Sequence, residues 1–201
     1  MKMYTATQPL FFAPIYMMER FFRSDFVVVM EEAQYSKLGH QAKVDICTKT
    51  GRQSIILPLR NRDRRPLNEI EVDGPKRWSE KLVKTLKNVY GKKEGFMIHG
   101  EELCDQIIDW ARTPYVTASM IGTWSMIYAL EKCAINCTIH MSTDLVSPRP
   151  ADANEWIVEL GIAAGGTDYL GGGVALASYI DPHAFLHRGL TLHTQKYVMP
   201  P

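Results

Sequence analysis

At 201 residues, 46% hydrophobic and 22% charged, with a formal net charge of +1, the chain has the length and balance of one soluble domain spanning 1–201. No run approaches the roughly eighteen uncharged apolar residues of a membrane span, and the start lacks the regions of a secretory signal, so the expected location is cytoplasmic. Charge is unevenly spread. The segment 43–93 holds fourteen Lys or Arg against six Asp or Glu, which points to an anionic partner there, a small molecule or a nucleic acid, or else to a solvated face.

In chain order, "TATQPLFFAP" reads as a short strand entering a loop, because Pro9 and Pro14 bar a helix across it. "IYMMERFFRS" has helical spacing, with Ile15, Met18 and Phe22 on one side. "DFVVVMEE" is a β-branched run of strand length and predicts a central strand buried on both faces. "QAKVDICTKTGRQSIILPLR" predicts a hairpin with a Thr-Gly turn and "SIILPL" as the return strand. After the charged loop "RNRDRRP", "LNEIEVDG" alternates like an exposed strand.

"PKRWSEKLVKTLKNVYGKK" predicts an amphipathic helix with Trp78, Leu82, Leu86, Val89 and Tyr90 on one stripe, stopped by Gly91. "GEELCDQIIDWAR" is a second helix. Thr113 and Pro114 supply the N-cap and first-turn proline of a third, "YVTASMIGTWSMIYALEK", apolar nearly all round. "NCTIHMS" reads as a buried strand, "ANEWIVELGIAA" as a helix closed by Gly165, and "TDYL" as a strand. Asp181-Pro182 opens a short helix, and "LTLHTQKY" closes the series as a strand. Alternation of this kind implies an α/β fold, a mixed, mostly parallel sheet with helices on both faces and a β-hairpin insertion.

Candidate chemistry concentrates late in the chain. "YLGGG" ends a strand in Gly171, Gly172 and Gly173, whose amides can face an anion or simply turn the chain. Asp168 and Tyr169 stand just before it, so that Asp168 offers a proton acceptor or a turn cap, and Tyr169 a substrate contact or core residue. His40 follows the acidic pair and Gln34 and is a second candidate base, or a surface histidine. His140 reads as a core or strand-end residue, with Ser142 beside it as a ligand contact. His183 and His187 share a helical face, but "HAFLH" lacks the Glu of a zinc hydrolase. The scattered Cys47, Cys104, Cys133 and Cys137 lack ligand spacing, so no metal is implied. No G-x-S-x-G or Walker motif occurs.

Taken in order, "QPLFFAP", "VVVMEEAQYSK", "SIILPLRN", "RWSEKLVKTLKNVYGKKEGF", "TIHMSTDL" and "TDYLGGGVALASYIDPHAFLHRGLTL" resemble the WbqC-like protein family over about residues 5–198. Two positions depart from it. Glu31 and Glu32 stand where the family usually has an aspartate, and Lys43 stands for an expected Arg, a point charge in place of a bidentate fork. The chain ends at "YVMPP", where the family pattern is expected to continue. The resemblance implies surface-polysaccharide biosynthesis and a transferase that attaches an acyl or aminoacyl group to the amine of a nucleotide-activated amino sugar. On that reading Gln8, Gln34, Lys43, Ser142, Tyr169 and Gly171 to Gly173 contact substrate, and His40 or Asp168 takes the proton. The cofactor is unassigned. Alternatives are a transferase acting on nucleic acid through the 43–93 segment and a non-catalytic subunit that binds a nucleotide sugar.

Overall fold

The β-branched run after Asp25 forms one of five parallel strands. The computed structural model describes residues 1–36 and 39–198; Lys37, from the Ser-Lys pair, and the terminal Met-Pro-Pro lie outside them. The strands are β1 (Met3–Thr7), β2 (Phe26–Val29), β3 (Lys43–Thr48), β4 (Gly51–Ile56), β5 (Thr138–Met141), β6 (Asp168–Gly172) and β7 (Thr191–Gln195). The helices are α1 (Ile15–Phe22), α2 (Pro75–Tyr90), α3 (Glu94–Arg112), α4 (Ala118–Lys132), α5 (Ser142–Leu145), α6 (Ala153–Ala163), α7 (Gly173–Ser178) and α8 (Pro182–Leu186). Two compact units result. The first comprises Met1–Gln8, Ala13–Ala33 and Met126–Pro201, the second Pro9–Phe12 and Gln34–Ser125. No described helix is long and apolar enough to cross a membrane.

The first unit holds the sheet, in order β5-β2-β1-β6-β7, every pair parallel. β2 lies inside it and all four of its residues are buried, as its apolar run requires. Helices cover both faces. On one face Tyr4 is wholly buried against α6, its hydroxyl donating to the Ile157 carbonyl at 3.2 Å, and stacks on Phe26. Tyr169 joins that face, between Tyr4 and Phe185 of α8. Gly172 lies three residues beyond Tyr169 and faces the other way, towards α1. α6 starts where Asp152 accepts from the amides of Asn154 and Glu155, both at 2.9 Å, and the chain leaves it through Gly165 at φ 77°.

The second unit contains the hairpin β3–β4, antiparallel, together with α2, α3 and the first part of α4. α2 buries Trp78, Leu82 and Leu86 as its stripe predicts. Phe11 packs on Trp78 and Phe12 on Trp110.

Several local expectations are corrected. α1 buries Met17 and Phe21, leaving Ile15 and Phe22 at 57% and 73% exposure; the helix is too short for periodicity to distinguish the two stripes. The hairpin turns at Lys49 and Thr50, pairing Thr48 with Gly51, so β4 begins three residues before "SIILPL". "LNEIEVDG" is no strand. Leu67–Glu69 is a 3₁₀ turn, and Leu67, Ile70 and Val72 are all buried beside isolated bridges. α3 begins at Glu94 rather than Gly100. α4 begins at Ala118, where the Thr117 hydroxyl accepts from the Met120 amide at 3.3 Å, so Thr117 and not Thr113 does the capping. β5 is an edge strand and only half-buried.

Candidate functional site

Parallel strands bring all their carboxyl ends to one edge of the sheet. β1 and β6 are neighbours there, yet the chain leaves β1 towards β2 and leaves β6 towards β7. Such a point of reversal opens a crevice where ligands of open α/β sheets bind. Gln8 follows β1, Glu31 follows β2, Ser142 follows β5, Gly172 closes β6 and Gly173 opens α7.

The glycine triplet neither turns the chain nor needs a left-handed backbone, since none of the three has positive φ. Gly171 and Gly172 are strand residues, paired with Thr194 and Gln195. Their missing side chains make room. A Cβ on Gly171 would lie 3.0 Å from Leu176 Cδ1 and 3.1 Å from Tyr169 Cε1. One on Gly172 would collide with Nη2 of Arg20 and stand 3.3 Å from its Cζ. Gly173 is open, with Thr194 Cγ2 at 4.0 Å.

Arg20 is therefore the residue that the sequence reading missed. It projects from α1 to the carboxyl edge and is half-buried, and burial lowers its pKa from the ordinary value. Its Nε donates to Gln195 Oε1 at 2.9 Å. The Gln195 amide is itself locked, donating to the Tyr16 carbonyl at 2.7 Å and to Glu19 Oε2. Glu19 also pairs with Arg23 at 3.3 Å. Among the described residues, neither Nη group of Arg20 has a hydrogen-bond partner. A partly desolvated guanidinium with its fork free is equipped to grip a carboxylate or phosphate. The sequence offers only the glycine run itself, which does not say which side chain lies against it.

The remaining candidates divide. Gln8 lies on the same edge and is half-buried. Ser142 opens α5 but is 0% exposed, and among the described residues its hydroxyl has no partner, so it does not face the crevice as an open contact. Alanine there removes a buried, unmatched hydroxyl, and Ser142→Ala is expected to raise stability by about 1 kcal/mol, seen as a higher urea midpoint. Tyr169 is buried too, and burial raises its phenol pKa.

Asp168 sits at the opposite, amino end of β6, paired with Met3 and Thr191. Four residues of extended strand separate it from Gly172, about 13 Å, so the two do not converge. Its carboxylate accepts from the Thr167 hydroxyl at 2.6 Å and meets His193 Nε2 at 2.8 Å. Those two bonds hold its pKa below the ordinary value, which suits a hydrogen-bonded anchor better than a base. A carboxylate with a depressed native pKa contributes stability above the unfolded value, near 4, that is lost as pH falls through the native one. Asp168→Asn is expected to lower stability at pH 7 and to flatten the acid limb of a melting-temperature profile below about pH 4.

Gln34, His40 and Lys43 belong to the second unit. Gln34 bridges Pro66, and its carbonyl accepts from Gln41 Nε2 at 3.3 Å. His40 is exposed and accepts the Phe11 amide through its carbonyl. Lys43 is exposed on β3, 3.8 Å from Asp45. No cluster of three potential metal ligands occurs among the described residues.

These features define an open parallel α/β protein with a half-buried arginine at its strand-order reversal. The chain belongs to the WbqC-like protein family, whose profile matches residues 8–201. No curated protein and no solved structure matches it.

Proposed function

We propose that the protein is a transferase that attaches an acyl or aminoacyl group to the amine of a nucleotide-activated amino sugar in surface-polysaccharide biosynthesis, working at the carboxyl edge of its sheet. The observation that carries this reading is the free fork of Arg20 over Gly172. In the reaction the amine nitrogen attacks the donor carbonyl carbon. A C–N bond forms, the bond from that carbon to the leaving group breaks, and negative charge develops on the carbonyl oxygen before the leaving group departs. Arg20 meets that charge, or an anionic group that anchors the donor, with Gln195 fixing its direction.

The attacking amine must also shed a proton. Glu31, at the carboxyl end of β2, accepts it on the same edge, its carboxylate oriented by the Thr143 hydroxyl. β2 and β6 flank β1, which sets their ends about 10 Å apart, a span suited to a sugar and its incoming substituent. Mass spectrometry after incubation with nucleoside-diphosphate amino sugars and a panel of acyl and aminoacyl donors tests the proposal. A mass gain equal to the transferred group supports it; a folded protein that modifies nothing in the panel defeats it.

A further inference from the structure

Within the second unit, β4, α2 and the loop between them border an open cavity of about 580 Å³, the size of a small-molecule site. Its apolar lining comes from Ile55 and Ile56 at the end of β4 and from Trp78 and Leu82 of α2. Ile56 is 58% exposed, a branched apolar side chain left to water at the cavity. Opposite in character are Arg77 and Lys81, which line the same space one helical turn apart, about 6 Å along the axis. Among the described residues neither side chain makes an ion pair or hydrogen bond, and the one acid in the lining, Asp73, is engaged by Arg60 Nε at 2.8 Å. The start of α2 adds to the positive field: Gly74 offers no capping side chain and Pro75 no N–H. The indole N–H of Trp78, a lining residue only 7% exposed, has no partner among the described residues either.

We infer that this cavity binds a nucleoside diphosphate. Two cations at helical spacing match two phosphates better than one carboxylate, and the apolar lining residues take the flat base. The inference goes beyond the transfer reaction and stands without it, since it asks only for binding.

Isothermal titration with ADP and UDP at low salt tests it on the wild-type chain and three variants. Wild type is expected to bind at least one of them. Arg77→Gln with Lys81→Gln is expected to weaken that binding at least tenfold, and Ile56→Glu, which puts a carboxylate into the apolar lining, to do the same. Lys84→Gln with Lys92→Gln removes equal charge from exposed residues outside the lining and is expected to change affinity less than twofold. Absence of binding by wild type overturns the inference, as does equal loss in both double variants. Binding of an oligonucleotide with a steep salt dependence, without binding of ADP or UDP, overturns it in favour of a phosphate-backbone surface.

Discussion

Gly161→Ala is expected to destabilise the protein by about 3 kcal/mol, while the same substitution at Gly95 stabilises it by about 0.5 kcal/mol. Both glycines lie in helices, α6 and α3, and neither has positive φ. Helix propensity alone therefore favours alanine at both. The surroundings reverse the sign at one of them. A Cβ on Gly161 would collide with the Tyr4 ring and hydroxyl, whereas one on Gly95 meets nothing within 4 Å. Tyr4 has no room to retreat. It is 0% exposed, stacked on Phe26 at 5.6 Å, tilted against Tyr169 at 5.1 Å, and bonded through its hydroxyl to Ile157. Alanine must push α6 off β1 or break that aromatic cluster, at the upper end of ordinary overpacking costs. For a chain of this length, about 3 kcal/mol lowers the melting temperature by roughly 6–12 °C, readable by calorimetry. A Gly161→Ala protein that melts within 1–2 °C of wild type would show that α6 does not pack as closely as described.

How much of this was legible follows from the range over which each signal acts. The Val-Val-Val run identifies β2 because a strand buried on both faces needs no alternation. The Trp78, Leu82 and Leu86 stripe identifies α2 because sixteen residues give periodicity time to declare itself. α1, at eight residues, does not, and its buried face was misassigned. "LNEIEVDG" alternates, but its buried Leu67 and Ile70 come from a 3₁₀ turn and the loop after it, a packing decision that local pattern does not encode. The site shows the same limit. The glycines stand out in the sequence, but their partner Arg20 is 152 positions away from Gly172 in a run that reads only as the charged end of a helix. Asp168 looked adjacent to the triplet because four residues are close in sequence; in a strand they span the sheet from edge to edge.

Arg20→Ala is expected to reduce transfer at least a hundredfold, equivalent to about 2.7 kcal/mol of transition-state stabilisation, with a melting temperature within a few degrees of wild type. The removed side chain is half-buried and, among the described residues, forms one bond, to Gln195, so its loss leaves the sheet itself intact. Arg20→Lys keeps the charge but not the planar fork, and is expected to recover less than a tenth of the lost rate. Gly172→Ala probes the same geometry from the other side. Its Cβ would meet the end of a flexible side chain rather than backbone, so the protein folds while the guanidinium is displaced, and a displacement near 1 Å is enough to cost on the order of a hundredfold. Added guanidinium salt is expected to restore part of the Arg20→Ala activity and none of the Gly172→Ala activity, because only the first variant leaves an empty place for the ion. A merely structural arginine would show no such rescue. Full activity in Arg20→Ala, measured on a confirmed product, would move the chemistry away from this edge of the sheet.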